Sequence, residues 1–343
     1  MSSTTEDNND NQLCGGGGGH GSREIISSKN DECISCEQNN VDNITEGIDS
    51  IAILNDVSKC ASCGKEGNSD DMNTCNKCKM VKYCNAACKK KHRKKHKKKC
   101  EERVAQLHDE QLFKEPPPRE ECPICMLPLP FMGQTTFQSC CGKLICNGCM
   151  CTILESEGKD LCPFCRVPYA KITNDEHIKQ TKNLIMSGNA EAYNKLANSY
   201  AHGIHGMPQN YRKANELLLK AGELGCAEAY HNLGVNYSGY RGAEVDMNKA
   251  KYYWELAAMG GQVVARHNLG CLEGHAGNNE RAKKHFIIAA RGGYKESLDM
   301  VKVGFMHGDV TKDEYANTLR AHQQRLDEMK SDARDKAAEV YGP

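Results

Sequence analysis

Residues 60–100 read CASCGKEGNSDDMNTCNKCKMVKYCNAACKKKHRKKHKKKC. Donor side chains fall as Cys60-x2-Cys63, Cys75-x2-Cys78, Cys84-x3-Cys88 and His96-x3-Cys100, eight thiolates or imidazoles that suffice for two tetrahedral Zn2+ ions. A C-x2-C pair presents both sulfurs from one knuckle turn, and residues four apart share one face of a helix, so each pair comes preformed. With four protein ligands per ion, no coordination position stays open for catalysis. Metal instead takes the place of a hydrophobic core that the segment lacks.

Outward from this stretch the composition changes sharply. The chain has 343 residues and 21 cysteines, all but Cys226 and Cys271 at or before position 165. At that length two or three domains are expected, and a disulfide scaffold does not suit cysteines arranged mostly as C-x-x-C pairs. Lys plus Arg and Asp plus Glu both number 45, so net charge exerts no global pull toward nucleic acid or membrane. The start, MSSTTEDNND, has neither the basic nor the apolar region of a secretory signal, and no apolar run approaches a membrane span. We therefore expect a protein that is not secreted and does not enter a membrane, in a reducing intracellular compartment, cytoplasmic or nuclear. Residues 1–59 lack Phe, Tyr and Trp, carry the run Gly15 to Gly19 and are acidic. They read as a disordered tail, in which Cys33 and Cys36 form a stray pair that neither zinc module uses.

The pattern over 60–100 resembles the MYND zinc finger. That resemblance implies interleaved sites, with Cys60, Cys63, Cys84 and Cys88 on one ion and Cys75, Cys78, His96 and Cys100 on the other. It also implies a docking surface for proteins or short proline-containing peptides. Two features depart from the family pattern: Arg93 stands where a Trp is common, and His92 lies on the same helical row as Cys88, His96 and Cys100. We read His92 as lying outside the ligand set. Lys89 to Lys99, KKKHRKKHKKK, is the most basic run in the chain. It reads as a solvated helix face, with a nuclear-import signal or nucleic-acid contact as the sharper alternatives.

Residues 101–121 read as a short helix, Glu101 to Phe113, with Val104, Leu107 and Gln111 on one face, followed by a linker stiffened by Pro116, Pro117 and Pro118. A second set of eight donors follows: Cys122-x2-Cys125, Cys140-Cys141, Cys146-x2-Cys149 and Cys162-x2-Cys165. Residues 122–169 resemble an all-cysteine RING finger. The resemblance implies one ion on Cys122, Cys125, Cys146 and Cys149 and a second on Cys140, Cys141, Cys162 and Cys165. Adjacent Cys140 and Cys141 are unusual; Gly142 can supply the turn they need, or else Cys151 or a water completes the site. The resemblance further implies recruitment of a ubiquitin-conjugating enzyme through Ile124 and Pro163, with Arg166 as a forked donor bridging that enzyme and ubiquitin. None of the cysteines would act as a nucleophile.

From about 184 to 325 the chain repeats itself. Ala192, Ala229 and Ala265 correspond, as do Leu196, Leu233 and Leu269; Lys213-Ala214, Lys249-Ala250 and Arg281-Ala282; Ala221, Ala257 and Ala289; and Gly225, Gly261 and Gly293. Helix pairs at this period indicate an α-solenoid, and the pattern resembles Sel-1-like repeats, which implies a protein-binding array without catalysis. The third unit is shorter than the second in its loop, and residues from Tyr294 to about Gln324 read as a decayed fourth unit or cap. His202, His205, His231, His267 and His275 read as packing or surface groups, and Cys226 and Cys271 as small buried apolar groups.

The expectation is thus a multidomain chain: a disordered tail (1–59), two small zinc-stabilised α+β modules (60–100 and 122–169), an all-α solenoid (184–325) and a C-terminal helix or tail (326–343). Four zinc ions, two per module, are its cofactors. In function it reads as an intracellular adaptor or RING-type ubiquitin ligase, with a non-catalytic scaffold or a nuclear regulator contacting nucleic acid as alternatives.

Overall fold

The computed structural model describes residues 57–131, 133–156, 160–169, 172–239 and 245–341. Cys33 and Cys36, and the tail up to residue 56, lie outside the described residues. The end of that tail needs correction: Val57–Lys59 is a strand, β1, paired antiparallel with β2 (Glu66–Asn68) in the register Val57 to Asn68. The first knuckle is thereby the loop of a hairpin.

Two compact units divide the chain, the first ending at Lys97 and the second beginning at Lys98. In the first, a second hairpin pairs β3 (Asn73–Thr74) with β4 (Lys82–Tyr83). Helix α1 then starts at Ala86, where the Asn85 side chain accepts the Cys88 N–H at 2.9 Å as an N-cap. It runs unbroken to Leu112. The short helix expected from Glu101 is therefore the last part of a longer one. Of the face that carries Val104, Leu107 and Gln111, Val104 is exposed, and the fully buried residue of this stretch is Leu112.

In the second unit, β5 (Thr135–Phe137) and β6 (Leu144–Cys146) form a hairpin leading directly into α2 (Asn147–Glu155). Ile145, Leu129 and the cysteines 122, 146 and 149 make a small core beneath it. The solenoid follows as α3 (Asn174–Met186), α4 (Ala190–His202), α5 (Tyr211–Glu223), α6 (Ala227–Tyr237), α7 (Met247–Met259), α8 (Val263–His275) and α9 (Asn279–Arg291). It continues through α10 (Lys295–His307) and α11 (Lys312–Met329), the fourth pair, and ends in α12 (Asp332–Tyr341). Residues 184 and 325, where the sequence reading bounded the repeats, lie inside α3 and α11.

The repeat positions explain the stacking. Ala192, Ala229, Ala265, Ala214, Ala250, Ala221, Ala257 and Ala289 are all fully buried, because only a methyl fits between helices this close. Gly225, Gly261 and Gly293 close each unit at φ of 97, 88 and 94°, the left-handed geometry that ends a helix and that a Cβ disfavours. Size is matched across the pairs as well. Ala197 shares a core cluster with Leu218, whereas in the next two units the equivalent small residue is Gly234, against Trp254, and Gly270, against Phe286. A Cβ on Gly234 would overlap the Trp254 ring. Gly234→Ala is accordingly expected to destabilise the second unit by about 1–3 kcal/mol, read as a lower urea midpoint at unchanged slope.

One buried group adds a pH dependence. His285 is fully buried and neither ring nitrogen has a hydrogen-bond partner among the described residues. Burial, helped by the nearby Arg266 and Arg281 cations, pushes it down to about 3. An unfolded chain takes up this proton first, near pH 6.5, so the contribution to stability is complete above that value and declines as pH falls toward 3, by about 1.4 kcal/mol per unit. Between pH 7.5 and 5, His285→Leu should show a shallower loss of stability than the wild type in urea titrations; parallel curves would refute this.

Candidate metal centres

Four knuckles share one construction. In each, the N–H of the residue after the second cysteine turns back onto the first cysteine's carbonyl: Gly64 to Cys60 at 2.9 Å, Lys79 to Cys75 at 3.0 Å, Met126 to Cys122 and Arg166 to Cys162 at 2.9 Å. Each turning residue has positive φ, from 57° at Lys79 and Met126 to 62° at Arg166 and 76° at Gly64. Only one of the four is glycine, so three of these turns hold a side chain in a conformation it normally avoids. Backbone N–H groups also point at the leading thiols. Those of Cys84 and Cys63 hold Cys60 down at about 6. Burial opposes ionisation of Cys75, Cys122 and Cys162, yet N–H donors of their own knuckles, joined by His96 at Cys75, the Cys146 N–H at Cys122 and the Cys140 thiol at Cys162, outweigh it and leave them at about 6, 7 and 7. A thiol poised as thiolate is ready to bind a metal ion.

The donors gather into four sets: Cys60, Cys63, Cys84 and Cys88; Cys75, Cys78, His96 and Cys100; Cys122, Cys125, Cys146 and Cys149; Cys140, Cys141, Cys162 and Cys165. Within each set all donor atoms lie within 4.8 Å of one another. Sulfur–sulfur separations are 3.7 Å for Cys63 and Cys84, 3.6 Å for Cys84 and Cys88, 3.9 Å for Cys125 and Cys146, and 3.8 Å for Cys141 and Cys162. A tetrahedron with Zn–S bonds of about 2.3 Å has edges of about 3.8 Å. These spacings suit a shared zinc ion and are far too long for disulfides, whose sulfurs lie about 2.05 Å apart. Both modules interleave their pairs, the first and third of each binding one set and the second and fourth the other.

The adjacent pair is accommodated as follows. Gln138 accepts the N–H of Cys141 at 3.2 Å and of Gly142 at 2.7 Å, and Gly142 takes φ of 74°, folding the chain so that both sulfurs face Cys162 and Cys165. Cys151 is buried in α2 and belongs to none of the four sets. His92 is likewise outside them; its Nδ1 lies 3.2 Å from the Tyr83 hydroxyl and its ring stacks on His96 at 5.8 Å. Arg93 is exposed. No solenoid histidine enters a metal set among the described residues. Cys226 and Cys271 are half-buried with polar neighbours, Glu191 at 3.4 Å and His267 at 3.5 Å, rather than simple apolar fillers.

Sequence reading missed one participant. Arg334, on α12, donates to the carbonyls of Pro128 (2.8 Å) and Leu127 (3.4 Å) and to the Cys125 sulfur (3.4 Å). Helix α12 packs so closely on α2 that a Cβ on Gly148 would lie 2.7 Å from the Arg334 nitrogen, and Lys336 pairs with Glu155 at 2.7 Å. Helix α12, in the segment 326–343 expected as a helix or tail, thus completes the second cysteine-rich module. Only spatial proximity reveals this, since 206 residues separate Arg334 from Pro128.

Ile124 is 40% exposed, and Pro163 and Arg166 are also exposed, with Met126 and Phe164 beside them in the two knuckles. All three predicted contact residues therefore sit on knuckle surfaces.

The architecture is that of a small cysteine-rich, zinc-finger region joined to an all-helical repeat array. More particularly, the MYND finger family matches residues 60–100, and the Sel1 repeat family matches 190–226, 227–262 and 263–294. No curated protein matches the chain. Among solved structures it is similar to a Sel1 repeat protein from Oxalobacter formigenes (22% identity over 44% of this chain and 64% of that one, TM-score 0.38). It is also similar to c5321, a protective antigen of uropathogenic Escherichia coli with an SLR fold (19%, 49% of this chain and 40% of that one, TM-score 0.34), and to the immunity protein Pa5087 of Pseudomonas aeruginosa (17%, 54% and 76%, TM-score 0.32). The chain thus spans less than two thirds of the length of the first two. A zinc-binding MYND finger and Sel1 repeats are protein-interaction modules. No helix among the described residues is long and apolar enough to cross a membrane.

Proposed function

We propose that this protein is an intracellular ubiquitin ligase of the RING type, in which the repeats and the MYND finger recruit substrate and residues 122–169 recruit the charged conjugating enzyme. The observation that carries the reading is the coincidence of two interleaved four-cysteine sets with exposed Ile124, Pro163 and Arg166 on their knuckles. Zinc, when held by those eight cysteines, supplies rigidity. Ile124 and Pro163 offer apolar contact to the conjugating enzyme. Arg166, directly after the last ligand, is held at a positive φ by its own N–H bond to the Cys162 carbonyl and projects a fixed, forked donor set. Rate acceleration in this reading is positional: the thioester is held ready for attack by a substrate lysine, and no residue of this chain forms a covalent bond.

A self-ubiquitination assay with a panel of conjugating enzymes tests the reading. Wild-type protein should build ubiquitin chains, and Ile124→Ala and Arg166→Ala should each reduce the rate at least tenfold while zinc content is unchanged. Failure of every enzyme, with about four zinc ions bound, would leave a scaffold without ligase activity.

A further inference from the structure

The C-terminal end of α1 is docked where the second and third repeats meet, against α7 and α8. Leu112 is fully buried against Ala250, Trp254, Ala257, Ala258, Ala265 and Leu269, with Phe113 beside it. The Leu112 carbonyl, one of those a helix end leaves unpaired, accepts from Arg266 at 2.9 Å, while the other arm of that guanidinium reaches the Ala258 carbonyl at 2.7 Å. At the rim, Asp109 pairs with Arg281 at 2.5 Å, and Arg281 in turn with Glu273 at 3.3 Å. Lys251 meets Glu273 at 2.7 Å, and Phe113 lies against His285 at 4.8 Å.

The third repeat departs from its neighbours at these very positions. Where the first two units have Tyr193 and Tyr230, the third has Arg266; where they have Tyr200 and Tyr237, it has Glu273. Among the described residues no other Arg, Lys, Asp or Glu side chain is as fully buried. Buried charge is costly to a fold, and the adjoining units stack with tyrosine instead, so stacking does not require it. What the two charges do is receive a helix end. Arg266 takes a backbone carbonyl, where a cation suits the negative end of the helix dipole, and Glu273 aligns Arg281 for the acidic side chain one turn back. The occupant lies 154 residues earlier in the chain and outside the repeats.

We propose that the junction of the second and third repeats is a recognition site for helix ends carrying an acidic residue three positions before a Leu-Phe pair, filled here in cis by Asp109, Leu112 and Phe113, and that it captures a partner helix of the same signature. Charge complementarity selects the acidic partner: Arg281, Lys251 and Lys284 stand at the entrance on the side of Asp109, the last lying 5.4 Å from the Phe113 ring, while Glu255 faces His108 at 3.3 Å. The inference rests on the reading of the repeats as the recruiting part of the protein and is independent of whether residues 122–169 support ligase activity. Partner binding and the cis contact are then mutually exclusive.

A fluorescent peptide of residues 101–118, EERVAQLHDEQLFKEPPP, added to the full-length zinc-loaded chain, tests this by anisotropy. Wild type should bind weakly because the site is filled. Leu112→Ala/Phe113→Ala, made in the chain and not the peptide, should bind at least tenfold more tightly, and adding Arg266→Ala should remove the gain. Asp109→Ala in the chain changes only the rim and should open the site part-way, which keeps the test valid should the double variant fail to fold. A peptide with both Leu and Phe replaced by Ala should not bind. Unchanged weak binding in folded Asp109→Ala and double-variant chains, or tight binding that survives Arg266→Ala, would overturn the proposal; helical content by circular dichroism establishes folding. Ubiquitin transfer is not read in this experiment, so its failure and that of the ligase assay stay distinct.

Discussion

Stripping zinc with a strong chelator is expected to unfold residues 57–83 and 122–146 while the helices from α4 to α9 persist. Both segments consist of two- and three-residue strands and turns, with cores made largely of the cysteines themselves. Structural zinc contributes on the order of 10 kcal/mol or more to folding such modules, far beyond what hairpins of this length could supply alone. The solenoid has its own core, from Ile178 and Leu196 through Leu233 and on to Phe286 and Val301. Amide exchange should therefore lose protection across the knuckles, at Gly64, Lys79, Met126 and Arg166, while far-UV circular dichroism keeps most of its helical signal. Protection at those four amides that survives in protein shown to be metal-free would refute the assignment of zinc as their support.

Replacing either member of the adjacent pair should cost one ion. Cys140→Ser and Cys141→Ser each leave three sulfurs in a set that the geometry closes with four, and a hydroxyl is a much harder, less acidic donor than a thiol. Native mass spectrometry should show about three zinc ions in each variant against about four in the wild type. Cys151→Ala should retain the full complement, since that side chain serves the packing of α2. Loss of an ion from Cys151→Ala, or its retention in Cys141→Ser, would redraw the second set.

Much of this could be read in the chain because the determining chemistry is local. C-x2-C and i, i+4 spacings describe single turns, so the members of each donor pair follow from their numbers. Repeat alignment likewise marks Ala192, Ala229 and Ala265 as contact residues, since in a solenoid every unit answers only to its neighbours. What sequence could not supply was contact between distant parts. The continuity of α1 through residue 100 was hidden because a basic, cysteine-bearing segment and an apolar-striped one look like different elements. The docking of Leu112 was hidden because its acceptor residues, Arg266 and Glu273, register in an alignment only as departures from a repeat. Arg334 offered no signal at all, as one arginine in a polar terminal segment.

The Arg334 contacts have a consequence for the order in which the protein is built. Residues 122–149 emerge from the ribosome early, but the side chain that caps the first knuckle of this module, and the helix that covers α2, lie about two hundred residues later. At synthesis rates of about 5–20 residues per second the module waits roughly 10–40 s for them. During that interval α2 is exposed and only metal holds the knuckles in place. The cysteine-rich module is thus begun before the repeat array and finished after it, and its maturation reports that the array has been made.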